Sequence, residues 1–201
     1  MLSAIERDSG LTQRYLAKEL RVALGLTNAY LKRCAKKGYI KIRQVPLNRY
    51  AYYLTPRGLV EKSRLTAEYL SSSLDFFRRV RRDAATVFAE CRTRGWTRVA
   101  LCGAGELAEI AVLSADEAAV EIVCVIVQEA GPATCAGRPA VVGIAQAIAL
   151  AGTKGIDAIV VTDASSPQKT FDLAHDEAVR SGLSADRVLA LDLLRVISTP
   201  G

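Results

Sequence analysis

The sequence predicts a two-domain α/β chain: a small α+β head, a helical connector, and a larger body built on a parallel sheet with flanking helices. Three observations carry this expectation. Charge divides the 201 residues, with 20 Lys and Arg against 8 Asp and Glu up to Trp96, and 7 against 13 from Thr97 onward. Two short amphipathic segments and an alternating hairpin fill the basic part. In the acidic part, apolar β-branched runs alternate with Ala-rich segments of helical period. The domains are accordingly placed at 1–57, 58–95 and 96–201.

A basic head suits a polyanion, because each phosphate neutralised by Lys or Arg releases condensed counterions. An anionic membrane surface is the competing target. No apolar run is long enough to span a bilayer and no basic-then-apolar leader opens the chain, so the expectation is a cytoplasmic protein with no membrane partner. Cys34, Cys91, Cys102, Cys124 and Cys135 form no Cys-x-x-Cys pair, and His175 is the only histidine. Zinc and haem motifs are therefore absent and no metal is expected. Five thiols, three of them in or beside apolar runs, read as small buried residues in a reducing compartment.

In the head, LTQRYLAKEL (Leu11 to Leu20) places Thr12 where a helix cap belongs and sets Leu11, Tyr15, Leu16 and Leu20 close to a helical period. After Gly25, LTNAYLKRCAKKGYI turns Thr27, Leu31 and Cys34 inward and Asn28, Ala29, Lys32, Arg33 and Lys36 outward, with Gly38 as the helix stop. Two short helices joined by a tight turn, the second rich in Asn, Lys and Arg, match helix-turn-helix geometry, in which the second helix enters the major groove. From Tyr39 to Leu54, Ile40 and Ile42 alternate with basic residues, a Pro-Leu-Asn-Arg turn follows, and Tyr50, Tyr52 and Leu54 alternate with Ala51 and Tyr53. That is a hairpin with a basic tip, a wing, and the whole order is that of a winged helix.

The expected partner is double-stranded DNA. Asn28, Lys32, Arg33 and Lys36 would face base edges or nearby phosphates, since Asn pairs bidentately with adenine and Arg with guanine. Gln13 and Arg14 would hold the backbone from the preceding helix, and Arg43, Asn48 and Arg49 would carry the wing. A solvated basic face on a protein-binding domain is the competing reading.

The runs TQRYLAKEL, LGLTNAYLKRCAKKGYIKI and NRYAYYLTPRGLVEKSRLTAEYL resemble the MarR-type winged-helix regulators associated with exopolysaccharide gene clusters, YAYYLTPRGLVEKSRLT being the most distinctive piece. The pattern departs at Arg21, where Gly is usual after the helix, and at Cys34, where a larger aliphatic side chain is usual. The chain also starts so close to the first helix that an N-terminal part of the head is expected to be short or missing. The resemblance implies a homodimer or higher homo-oligomer, a pseudo-palindromic site and polysaccharide genes as targets.

The connector opens with Thr55-Pro56-Arg57-Gly58, a turn that stops the strand and starts a helix. From Leu59 to Arg94 there is no Gly or Pro, so one long helix or two shorter ones are expected. Leu70, Leu74, Phe77, Arg81 and Ala84 mark one face, prolonged by Val80, Val87, Phe88 and Cys91, with the spacing of a packed seam. Its partner is a second copy or the chain's own C-terminal domain. The cluster Arg78, Arg79, Arg81 and Arg82 either adds phosphate contacts or forms a solvated face.

In the body, RVALC, VEIVCVIV, DAIVVTD and RVLALDLL read as strands, and ELAEIAVLSA, IAQAIALAG and TFDLAHDEAVRSG as helices, a Rossmann-like alternation. Gly103 would allow a tight turn, Gly105 would let the backbone approach a diphosphate, and Ala108 would sit where helix crosses strand. The loop and helix start, Ala104, Glu106 and Leu107 included, would supply amide donors. Glu129 would hold a ribose, and Thr162, Asp163 and Ser165 lie at strand ends where such sheets bind ligands. A glycine turn kept only for packing is the alternative. The segment resembles the N-terminal domains of nucleotide-sugar-modifying acyltransferases through GAGELAEIAVLS, GRPAVVG and DAIVVTD, and the nucleotide-sensing half of Rex-type redox repressors.

No catalytic residue is expected. His175 sits among Asp172, Asp176 and Glu177 in a surface helix, Tyr is absent after Trp96, and no Gly-x-Ser-x-Gly elbow occurs. The sequence therefore reads as a non-enzymatic regulator with no required cofactor and a nucleotide or nucleotide-sugar effector. The rivals are a small nucleotide-sugar-modifying enzyme and a regulator whose body is a ligand-free oligomerisation domain.

Overall fold

The computed structural model describes residues 1–46, 49–129 and 131–197. It divides into two compact units, Met1–Ser73 and Leu74–Gly201. The stretch expected as a separate connector over 58–95 is instead shared between them. A single helix, α4, runs Pro56–Thr93, its first part in one unit and the remainder in the other.

The first unit comprises α1 (Leu2–Arg7), α2 (Gln13–Glu19), α3 (Leu24–Lys36), the hairpin of β1 (Ile40–Val45) and β2 (Arg49–Leu54), and the start of α4. Thr12 caps α2 as expected, its hydroxyl accepting from the Tyr15 amide at 3.2 Å. The core is Ala4, Ile5, Leu16, Leu31, Ile40 and Tyr52. Helix α1 was not foreseen, because six residues are too few to display a period, yet it supplies Ala4 and Ile5 to that core. Tyr15, expected on the inner face of α2, is exposed, and Leu16 alone is buried there. Thr55 joins three elements: its hydroxyl donates to the Gly38 carbonyl at 2.6 Å and accepts from the Gly58 amide at 3.0 Å, capping α4. Pro56 thus begins the helix, and Gly58 lies within it rather than in a turn.

Two helix ends in this unit close in the same way. After α3, the Tyr39 amide bonds the Cys34 carbonyl and the Gly38 amide the Ala35 carbonyl, both at 2.9 Å, with Gly38 at φ +73. After α2, the Val22 amide bonds Ala17 at 3.0 Å and the Arg21 amide bonds Lys18 at 3.2 Å, with Arg21 at φ +51. Arg21 therefore occupies the left-handed position that favours glycine, which explains why its presence stands out. Arg21→Gly is expected to stabilise the protein by about 1 kcal/mol by removing the Cβ clash of that conformation. Thermal denaturation checks this as a raised Tm.

The second unit holds the rest of α4, then β3 (Arg98–Cys102), α5 (Glu106–Glu117), β4 (Glu121–Val127), β5 (Thr134–Cys135), β6 (Arg138–Val142), α6 (Gly143–Ala151), β7 (Ala158–Val161), α7 (Pro167–Arg180) and β8 (Val188–Ala190). The sheet order is β5-β6-β4-β3-β7-β8. β6, β4, β3, β7 and β8 run parallel, and β5 pairs antiparallel with β6 at the edge. β5 and β6 were not read as strands: β6 carries Pro139, and its side chains are only half-buried or exposed, as an edge tolerates. The runs that form β3, β4 and β7 were legible because they are largely apolar, as parallel strands covered on both faces must be, and the edge strand β8 because its run, too, is rich in Val and Leu.

One sheet face packs Val99, Leu101, Val125 and Val160 against α5 and against Val80, Ala84, Val87, Phe88 and Cys91 of α4. The opposite face packs Ala100, Cys124, Ile126, Ile159 and Val161 against α6 and α7. The second half of the helical seam thus has its partner within the chain, in its own sheet, and is not available to a second copy. Leu70 and Leu74, expected on the same seam, are exposed. Burial pushes the thiols of Cys91 and Cys124 up to about 11 and that of Cys102 to about 12, which makes them inert core residues.

Candidate nucleic-acid interface

Helix α3 is held from its inner side by Leu31 and by Thr27, which is buried and donates its hydroxyl to the Ala23 carbonyl at 3.2 Å. A helix fixed on one side presents the other. Lys32, Arg33 and Lys36 are all exposed there, and among the described residues none has an ion-pair partner. Glu19, Glu6 and Glu61 of the same unit are engaged elsewhere, with Arg7, Lys62 and Arg64. The positive charge of α3 is therefore not neutralised internally. Arg14 on α2 is likewise exposed.

On the wing, Arg43 of β1 is exposed and its guanidinium lies 6.0 Å from the Tyr53 ring centre, so one strand stiffens the cation carried by the other. Lys41, one alternation earlier on the same strand, is also exposed and belongs with it, although only the general basic character of that run pointed to it. Asn48 lies outside the described residues, as does the side chain of Arg49.

Two expected DNA contacts are differently employed. Gln13 donates from Nε2 to the Tyr52 hydroxyl at 3.0 Å. Tyr52 is buried, and its phenol needs a partner, so Gln13 ties α2 to the wing instead of holding a phosphate. Asn28 is half-buried and its Oδ1 is enclosed without a hydrogen-bond partner among the described residues, so the oxygen that would accept from adenine N6 is turned away from solvent.

The glycine loop of the second unit separates into a packing residue and an open one. A Cβ on Gly103, at φ +112, would lie 2.5 Å from the Asp163 backbone nitrogen, so glycine is required there by the loop after β7. Gly105, at φ +131, precedes α5 and has nothing within 4 Å of a Cβ position. Ala104 and Glu106 are exposed beside it, whereas the Leu107 side chain is buried and only its amide can serve a ligand. Ala108 is fully buried against the sheet. Glu106 and Glu109 in the first turn already complement the positive end of the helix.

Thr162, expected to meet a ligand, is buried and donates to the Gly103 carbonyl at 2.6 Å, bracing the loop. Asp163 is also committed: one oxygen accepts from the Ser165 amide and hydroxyl, the other from the Thr170 hydroxyl at 2.6 Å. Burial raises the Asp163 pKa, and those hydrogen bonds more than offset it, leaving the carboxyl below its ordinary value. Glu129 is exposed two residues beyond β4, and the intervening Gln128 reaches Thr170 at 3.4 Å. Only Ala104, Gly105 and Glu106, with the Leu107 amide, remain open at the loop.

Residues 1–41 match the winged helix-turn-helix DNA-binding family. No curated protein and no solved structure matches the chain. The first unit is a winged helix-turn-helix DNA-binding domain, the feature of a transcription regulator. Among the described residues, no helix is long and apolar enough to cross a membrane.

Proposed function

We propose that the chain is a homodimeric, non-enzymatic transcription regulator that reads DNA through α3 and the wing, and that its second unit is a Rossmann-like sensor of a nucleotide or nucleotide sugar. The observation that carries the DNA reading is the exposed, unpaired row Lys32, Arg33 and Lys36 on the second helix of the winged helix-turn-helix. The sensor reading is supported by the sheet. From β3 the chain steps outward to β4 and β6, then returns to β7 on the other side of β3, so the switch point lies beside Gly103 and Thr162. Self-association is favoured by Val60, Leu70 and Leu74, which leave exposed apolar side chains on one side of α4. The resemblance to exopolysaccharide-associated regulators suggests polysaccharide genes as targets.

The test is fluorescence anisotropy with duplex from upstream of the chain's own gene and with random duplex, over a salt series, with and without a panel of nucleotides and nucleotide sugars. Sequence-preferring, salt-sensitive binding that one ligand shifts is the expected result. An effector shifts affinity only by its differential binding to the two head arrangements. Gly105→Val should abolish that shift and leave basal DNA affinity intact. No preference over random DNA would overturn the regulator; no response to the panel would favour the ligand-free domain.

A further inference from the structure

Helix α4 carries an arginine island on an otherwise acidic unit. Arg78, Arg79, Arg81 and Arg82 fall within five consecutive residues, and all four are exposed. Elsewhere on this helix Arg64 bonds both Glu61 and Glu68, Arg57 lies over the Tyr39 ring and Arg92 donates to the Ala118 carbonyl. Within the island, Arg81 pairs with Glu117 and Arg78 with Asp75 at 3.2 Å. Arg79 and Arg82 have no ion-pair partner among the described residues. Arg78, Arg79, Arg81 and Arg82 line a shallow, open depression with Asp75 and Ala85 on α4, away from Val80, Ala84 and Val87, which pack on the sheet.

The spacing is unfavourable for an isolated helix. Arg78 and Arg82 are related as i, i+4, and Arg79 and Arg82 as i, i+3, both like-charge pairs that destabilise a helix. An anion that enters the depression removes that repulsion. All four cations are arginine, the planar fork that grips phosphate oxygens bidentately, where solvation alone would be served equally by lysine. A duplex is the polyanion this chain's other unit already binds.

We propose that Arg78, Arg79 and Arg82 form a second, sequence-independent contact with the phosphate backbone of double-stranded DNA. This rests on the DNA-binding reading above. The experiment compares full-length wild type with R79A/R82A and R79K/R82K, on a duplex covering the core site and on one extended by about ten base pairs, one helical turn, on each side. Wild type is expected to bind the longer duplex more tightly, with a steeper dependence of log affinity on log salt. R79A/R82A should lose that gain and flatten the slope by about 1.8 for each protomer engaged, about 3.6 for the dimer, while keeping the base preference. R79K/R82K should restore most of the slope.

Equal slopes and affinities for wild type and R79A/R82A on both duplexes would overturn the proposal. So would an unchanged slope accompanied by a changed oligomeric state in sedimentation, which would assign the island to a protein contact. Failure of wild type to bind any duplex with preference would count against the DNA reading itself, a separate outcome.

Discussion

Lys32→Ala with Arg33→Ala is expected to lower affinity for the preferred duplex on the order of 100-fold, with Tm nearly unchanged. Both side chains are exposed on α3 and pair with no acid among the described residues, so their removal costs the folded head little. If α3 faces the groove as proposed, their loss removes contacts made only in the complex. The single variants should divide the effect. An arginine that reads guanine relaxes discrimination at one base pair, whereas a lysine on phosphate weakens all duplexes alike and reduces the salt slope by about one. Anisotropy against a set of single-base operator variants distinguishes the two. Unchanged affinity in the double variant would remove α3 from the interface and return its basic face to solvation.

Gly58→Ala is expected to destabilise the head by about 3 kcal/mol, the upper range for forcing an extra methyl into a filled space. A Cβ at position 58 would lie 2.0 Å from the Tyr39 carbonyl oxygen and 2.8 Å from Leu54 Cδ1. The oxygen cannot withdraw freely, because it accepts the Thr55 amide at 3.0 Å and belongs to the residue that closes α3. Helix, hairpin base and α4 all meet at this point, so relief of the clash requires moving one of them. Intrinsic propensity points the other way, since Ala is favoured over Gly inside a helix by roughly 1 kcal/mol. A net loss in chemical denaturation therefore isolates the clash; a gain would show that the approach relaxes without cost.

These two positions differ in how far the sequence exposes them. Lys32 and Arg33 were legible, because an amphipathic period assigns inward and outward faces from a few neighbouring residues. Gly58 was read as part of a turn, because nothing in Thr55-Pro56-Arg57-Gly58 reveals that the carbonyl of residue 39 lies against it. The same distinction runs through the second unit. The alternation of apolar runs and Ala-rich helices was visible, while β5 and β6 were not, because a two-residue edge strand and a half-exposed neighbour carrying Pro139 lack a strong pattern.

By itself, the sequence determined the order helix, turn, helix, hairpin, the outward row of cations on α3, and the α/β alternation of the body. Each is a local periodicity or capping pattern, fixed by backbone geometry over a few residues. Only the tertiary structure decided that Gln13 serves the buried Tyr52 phenol 39 residues away, that Gly103 is glycine because the Asp163 backbone approaches it, and that α4 buries Val80 to Cys91 on its own sheet. In each case the deciding atom is distant along the chain. A buried polar group or a close backbone approach takes whatever partner the packing brings to it, and no local pattern records that choice.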